Sequence, residues 1–78
     1  MSELLAYLAR ELVDEPDAVS VDEEERDEGV VLVLHVAAAD VGKVIGRNGR
    51  IARALRTLVR ASASRDGRRV FVEIADPE

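Results

Sequence analysis

The sequence predicts an α+β fold with the element order α-β-β-α-α-β, because helical and strand-like hydrophobic patterns follow one another in that order. Helical stretches carry apolar residues three and four positions apart, and three short stretches are rich in β-branched residues or alternate apolar with polar side chains. A length of 78 residues gives room for one domain with a modest core. Each predicted strand has one apolar face, so three helices on one face of a three-stranded sheet is the economical packing.

The N-terminal half is predicted to contain a helix and a β-hairpin. The helix covers residues 2–13, with Ser2 as its N-cap, and ends before Pro16. Its stripe of core-facing residues is Leu5, Leu8, Ala9 and Leu12. A half-buried strand at 18–24 and a β-branched, more central strand at 30–36 form an antiparallel hairpin around a polar turn at 25–29.

The C-terminal half is predicted to contain two helices and a third strand. Asp40 caps a short helix at 41–45, and a second helix runs from Asn48 or Gly49 to about Arg65. Its predicted core stripe is Ile51, Ala54, Leu55, Leu58, Val59 and Ser62, opposite Arg53, Arg56 and Arg60. A turn at Asp66-Gly67 leads to a strand at 68–75 and a tail at 76–78. The two-helix connection is long enough for a right-handed parallel crossover, which predicts a mixed sheet of unspecified strand order.

Charge is distributed unevenly along the chain. The net charge is −5, yet residues 1–40 contain two cations and twelve acids, whereas residues 41–78 contain nine cations and four acids. The acidic total disfavours a general polyanion binder, and the basic half is compatible with a local phosphate site. Mixed surface charge that serves solubility is the alternative explanation.

Composition disfavours several classes of function. There is no cysteine and one histidine, His35, so we expect no disulfide, no thiolate nucleophile and no metal site. No cofactor is expected. No apolar run approaches the roughly 20 residues that span a bilayer, and the N-terminus lacks a signal-peptide pattern. The chain is therefore expected to be a soluble intracellular protein without a small-molecule substrate.

One stretch, VGKVIGRNGRI at residues 41–51, combines glycines, cations and aliphatic residues. The Walker A pattern GxxxxGK[ST] and the dinucleotide pattern GxGxxG are both absent. Glycines without Cβ atoms allow another backbone to approach closely, and the loop leads into a helix N-terminus, where free N–H groups favour anions. These features suit a bent phosphodiester chain that passes over the loop.

The segment VIGRNGRI, within the order α-β-β-α-α-β, resembles the signature of a type II KH domain. Nearly the whole chain is similar to the KhpA family of small bacterial single-KH-domain proteins, so residues 1–78 would be one KH domain with its core at 17–76. The resemblance implies a GxxG loop that holds single-stranded RNA. The implied contacts are Lys43, Val44, Ile45, Gly46, Arg47, Asn48, Gly49, Arg50 and Ile51, with Arg53 as an additional candidate. The glycines would admit the RNA backbone, the cations would contact phosphates, and Val44, Ile45 and Ile51 would line an aliphatic groove.

The resemblance also implies a cytoplasmic location, a role as RNA chaperone or post-transcriptional regulator, and pairing as a homodimer or with a KhpB/Jag-type KH protein. The alternative function is a protein-interaction module with little direct RNA binding. The helix-free face of the sheet, which includes His35 and Phe71, is then a candidate partner surface. An enzyme is disfavoured because no nucleophile–base pair or metal cluster is recognisable. The RNA sequence, the preference for RNA over single-stranded DNA and the oligomeric state are left open.

Overall fold

The central strand of the sheet has the most continuous apolar sequence. The computed structural model of the chain describes residues 2–63, 67 and 69–76. Strand β1 (Ser20–Arg26) pairs antiparallel with β2 (Gly29–His35), and β3 (Val70–Ile74) pairs parallel with the other edge of β2. The strand order is β1-β2-β3, which the sequence left open. The sheet is therefore mixed, as predicted.

The helices confirm the predicted element order. They are α1 (Ser2–Leu12), α2 (Val41–Ile45) and α3 (Arg50–Ala63). Short 3₁₀ turns precede β1, α2 and α3, at Pro16–Ala18, Ala38–Asp40 and Arg47–Gly49. Helix α2 has the predicted bounds, whereas α1 ends one residue earlier than predicted. The predicted continuation of α3 to Arg65, Asp66 of the predicted turn, the strand start at Arg68 and the tail at 77–78 lie outside the described residues.

The hairpin is tighter than the predicted turn at 25–29. Strand pairing continues through Arg26, which lies opposite Gly29, so the turn contains only Asp27 and Glu28. The backbone ladder outweighs the low β-propensity of the charged residues, which remain exposed on an edge strand. Gly29 has a φ of +148°, and a Cβ atom there would lie 2.2 Å from the carbonyl oxygen of Arg69. Glycine is thus required where β3 joins the sheet.

One face of the sheet forms the core with all three helices. The buried sheet residues on this face are Val30, Leu32, Leu34, Val70 and Val72. They pack with Leu5 and Ala9 of α1, Val44 of α2, and Leu55 and Val59 of α3. On the opposite face Val31 is buried and Phe71 half-buried, and His35 Nε2 lies 2.8 Å from Asp22 Oδ2 of the neighbouring strand.

The core stripe of α3 differs from the predicted stripe. The buried residues are Ala52, Leu55, Val59 and Ala63, whereas Ala54, Leu58 and Ser62 are exposed. Two overlapping stripes satisfy helical spacing, and packing selects the one with alanines at both ends, since small side chains allow close contact with neighbouring elements. Leu58 is 51% exposed. In α1, Leu5 and Ala9 are buried as predicted, but Leu12 is exposed near the end of the helix.

Candidate functional site

The predicted GxxG loop joins α2 to α3 through one tight 3₁₀ turn. Helix α2 ends at Ile45, and the N–H of the next residue, Gly46, donates to the carbonyl of Gly42 at 2.9 Å. The N–H of Gly49 donates to the carbonyl of Gly46 at 3.2 Å, and α3 begins at the next residue. Asn48 has φ 57° and ψ 24°, and it is the one non-glycine residue with a positive φ among the described residues. The loop therefore has a specific backbone conformation.

The two glycines of the loop are needed for different reasons. A Cβ atom on Gly46 would lie 2.4 Å from Cγ1 of Ile51, so this glycine allows the first turn of α3 to pack against the end of α2. A Cβ atom on Gly49 would meet nothing within 4 Å, and only its φ of +75° favours glycine. Space for an approaching backbone therefore lies on the side of Gly49, whereas the close contact at Gly46 is internal.

Cations surround the N-terminus of α3. Arg47, Asn48 and Arg50 are exposed, and the first turn of this 14-residue helix contains no acidic residue. Helix N-termini carry a partial positive charge and unpaired N–H groups, so they normally attract acidic side chains. Arginines at this position reduce helix stability and increase the attraction for an anion. The arrangement is suited to a phosphate group.

Lys43 is held by two carboxylates. Its Nζ lies 2.6 Å from Oδ2 of Asp14 and 3.2 Å from Oδ1 of Asp40. These hydrogen bonds raise the pKa of Lys43 above its ordinary value. The ammonium group remains partly exposed, but two negative charges already neutralise it. Its contribution to attracting a phosphate is therefore smaller than its position in the motif implies.

Asp40 precedes α2 as predicted but does not cap it with its side chain. The residue is 1% exposed, and its carboxylate accepts no capping hydrogen bond from a backbone N–H of α2. Instead Oδ2 accepts from the N–H of Glu15 at 3.1 Å, and Oδ1 accepts from Lys43. Burial acts to raise the pKa of Asp40, but backbone N–H groups at Asp14 and Glu15 and the Lys43 ammonium outweigh it and lower the pKa. Asp40 thus joins α2 to the turn after α1.

The three aliphatic residues predicted to line a groove have different environments. Val44 is fully buried in the core, so its side chain is not available to a ligand and that prediction is corrected. Ile45 is 38% exposed, and Ile51 is half-buried against Gly46. The apolar surface beside the loop consists of Ile45 and the accessible part of Ile51.

The arginines of α3 have distinct roles. Arg53 Nη2 donates to the carbonyl oxygen of Asn48 at 2.7 Å, which links the helix to the loop. Arg56 is half-buried, and its Nε donates to the carbonyl of Val72 in the edge strand β3 at 3.2 Å. The helix face opposite the predicted core stripe is therefore not fully exposed at this residue. Arg60 is exposed near the end of the helix. Sequence spacing alone contained no signal for the bond from Arg56 to the strand.

The described residues offer neither a metal site nor a membrane-spanning helix. They contain no group of three or more His, Asp or Glu side chains arranged to hold a metal ion. None of the helices in this part of the chain is long and apolar enough to cross a membrane.

Comparison with known proteins identifies the family. The profile of the KhpA/KhpB KH domain matches residues 2–74. The RNA-binding protein KhpA of Treponema pallidum is 54% identical over 74 residues, which covers 95% of this chain and 92% of that protein. The RNA-binding proteins KhpA of Caldanaerobacter subterraneus subsp. tengcongensis and Clostridium acetobutylicum are 51% and 49% identical, each over 95% of this chain and 99% of the relative.

These matches confirm the resemblance that the loop motif indicated. The family is defined by a KH domain, and the relatives are named as RNA-binding proteins and not as enzymes. This agrees with the prediction that the chain is not an enzyme. The match extends over almost all of the residues that form the sheet, the helices and the loop. The chain belongs to the KhpA/KhpB family of KH-domain proteins.

Proposed function

We propose that the chain binds single-stranded RNA by holding its phosphodiester backbone at the loop Gly46–Gly49. The observation that carries the proposal is the exposed cationic loop at the N-terminus of α3, in a family whose relatives are named RNA-binding proteins. KH domains in general clamp about four backbone nucleotides with this loop. On this proposal the chain acts in the cytoplasm as an RNA chaperone or a post-transcriptional regulator.

Phosphate contact at the loop has a direct electrostatic basis. Arg47 and Arg50 are exposed on either side of the open space at Gly49. A phosphate bound there would relieve the mutual repulsion of the arginines and the unfavourable interaction of Arg50 with the helix dipole. With two to four phosphate contacts, the slope of log K against log salt should be about −1.4 to −2.8, at roughly −0.7 per contact.

Base recognition on this proposal is mainly apolar. Ile45 and Ile51 offer aliphatic surface next to the loop, and the chain has only two aromatic residues, Tyr7 and Phe71. Tyr7 lies on α1 and Phe71 on β3, so neither belongs to the loop. Stacking of bases on aromatic rings is the usual source of strong single-strand binding in other folds. We therefore expect modest sequence preference.

A matched pair of charge reversals tests the proposal. Fluorescence anisotropy of a labelled single-stranded RNA is measured with the native chain, Arg47→Asp and Arg10→Asp, in about 0.1 M salt. Arg10 is an exposed arginine of α1, so both variants change the net charge equally. Loss of one phosphate contact should weaken binding by Arg47→Asp roughly fivefold or more at this salt concentration. Equal loss in both variants, or none in either, would refute a clamp at the loop.

A DNA oligonucleotide of the same sequence separates RNA from general single-strand binding. The 2′-hydroxyl is the group that allows a protein to distinguish the two. If the chain binds the RNA and the DNA with comparable affinity, it recognises the phosphodiester backbone and not the 2′-hydroxyl group.

A second candidate function is assembly, as a homodimer or with a KhpB/Jag-type KH protein. The observation that favours it is Leu58, which lies 51% exposed on α3 between the exposed residues Ala54 and Ala61. Burial of such a row against a second chain would remove apolar surface from water and add to a small core. Sedimentation of native protein and Leu58→Glu, with and without RNA, tests it. A native chain that remains monomeric up to high concentration would exclude the homodimer.

A further inference from the structure

Arg53 connects the first turns of α3 to the tip of the loop. Its Nη2 donates to the carbonyl oxygen of Asn48 at 2.7 Å, five residues earlier in the chain. The carbonyl oxygen of Asn48 and the N–H of Gly49 belong to the same planar peptide group. The N–H of Gly49 donates to the carbonyl of Gly46 at 3.2 Å. This peptide group is therefore held at both ends, by Arg53 on one side and by Gly46 on the other.

The conformation that these bonds hold is an uncommon one. Asn48 has a φ of 57°, in the left-handed region that residues other than glycine seldom adopt. Asparagine tolerates this region better than most residues, but the free peptide would still populate other conformations. The hydrogen bond from the charged guanidinium group of Arg53 to the Asn48 carbonyl holds the peptide plane in one orientation.

The location of Arg53 is otherwise unfavourable. It lies in the N-terminal part of α3, where a cation is repelled by the helix dipole and by nearby Arg50. The hydrogen bond to the Asn48 carbonyl gives the cation a partner at this position, and a charged donor makes that bond stronger than a neutral donor would.

We propose that Arg53 is a positioning residue: it holds the Asn48–Gly49 peptide in the orientation that accepts a phosphate, and it does not itself bind the phosphate. The inference rests on the proposed function of the loop. It also changes the role that the sequence indicated for Arg53, from an additional phosphate contact to a support for the loop.

The test uses Arg53→Gln, with Arg60→Gln as its matched control. Both variants remove one exposed positive charge from α3, and Arg60 lies seven residues further along, away from the loop. The affinity for a labelled single-stranded RNA is measured over a range of salt concentrations. In parallel, hydrogen exchange of the Gly49 amide is measured by NMR in the RNA-free protein, together with Arg53→Lys, which restores a cationic donor.

If Arg53 only positions the loop, the RNA affinities of Arg53→Gln and Arg60→Gln should depend on salt concentration with the same slope. Arg53→Gln should weaken binding roughly threefold to tenfold at every salt concentration, the range expected for one lost hydrogen bond. Its slope should equal that of Arg60→Gln, and the Gly49 amide should exchange faster only in Arg53→Gln. Arg53→Lys should recover part of both properties.

Other results would overturn the inference. A slope lower by about 0.7 than that of Arg60→Gln, with unchanged Gly49 exchange, would make Arg53 a phosphate ligand. Unchanged affinity and unchanged exchange would show that the hydrogen bond is dispensable. If the native chain binds no RNA, the proposed function fails and with it the purpose assigned to Arg53, whereas the exchange result still decides whether Arg53 holds the loop.

Discussion

Replacement of Arg50 by glutamate is expected to stabilise the protein and, on the proposed function, to weaken the binding of RNA. Arg50 is the first residue of α3, it is exposed, and the first turn of the helix has no acidic residue. A positive charge at this end opposes the helix dipole, and a negative charge would favour it. A residue that lowers stability at an exposed position suggests selection for a function that requires its charge.

The expected gain in stability is the sum of two effects, the removal of a cation and the addition of an anion at the helix N-terminus. Each unit of charge at a helix end contributes about 0.3–1 kcal/mol, and exposure places Arg50 toward the lower part of that range. Removal of the cation and addition of the anion together should stabilise the protein by about 0.6–1 kcal/mol. For a domain of this size, we expect the Tm to rise by roughly 2–8 °C. Loss of one phosphate contact should weaken RNA binding at least about fivefold in 0.1 M salt.

Arg60→Glu is the matched control, because Arg60 lies in the last turn of the same helix. There a cation is favourable, so the same reversal should lower the Tm by a similar amount and affect RNA binding less. Thermal unfolding is followed by circular dichroism at low salt and in 1 M salt, where screening should abolish both shifts. A lower Tm for Arg50→Glu, or an unchanged affinity for RNA, would refute the inference that Arg50 lowers stability and strengthens RNA binding.

Four further substitutions test the loop, the exposed partner of Lys43 and the buried carboxylate. In urea denaturation, Gly46→Ala should lower the free energy of unfolding by about 2 kcal/mol or more, because the added Cβ clashes and the φ is positive. Gly49→Ala should lower it by about 1 kcal/mol, because only the positive φ is unfavourable there. An equal decrease in both variants would contradict this reasoning. Asp14→Asn removes the closer carboxylate from Lys43 and should strengthen RNA binding about twofold to fivefold in anisotropy titrations, whereas weaker binding would mean that Asp14 orients the lysine. The lowered pKa of Asp40 stabilises the fold above its ordinary pKa of 3.8, and this contribution is lost as the pH falls through the folded-state pKa. The Tm of Asp40→Asn should therefore lie below that of the native chain at pH 6 and approach it toward pH 2, and a constant difference would contradict the assignment.

The sequence predicted the elements that depend on local periodicity. The helices and strands were predicted in the correct order because alternating and helical patterns report which residues can share one face. The core stripe of α3 was only partly predicted: Leu55 and Val59 fit two overlapping stripes, and only packing against neighbouring elements excludes Leu58. Strand ends also shifted, since backbone pairing extended β1 through charged residues.

The candidate site shows the same division between local and long-range information. The positions of Gly46 and Gly49 in a loop between two helices could be read from the motif. The backbone partner of Asp40 could not, because its carboxylate accepts from the N–H of Glu15, 25 residues earlier, and not from a backbone N–H of the adjacent helix. The bond from Arg56 to β3 likewise depends on the crossover that brings the two elements together. Local rules predict a cap or a solvated arginine at such positions, and tertiary contacts override them.

The acidic net charge is compatible with the proposed RNA site because the longest acidic run lies on an edge strand, whereas the loop lies between two helices. Four consecutive acids at residues 22–25 lie on β1, whereas Arg56 of α3 contacts β3 at the other edge of the sheet. Two strand spacings separate these edges, about 10 Å, which exceeds the Debye length of about 8 Å at physiological ionic strength. Salt therefore weakens the repulsion from β1 at β3 and the part of α3 that contacts it, while the repulsion is strongest next to β1 itself. An acidic edge of this kind would discourage RNA from binding along β1, and on the proposed function it leaves the cationic loop at the N-terminus of α3 as the favourable place for a phosphate.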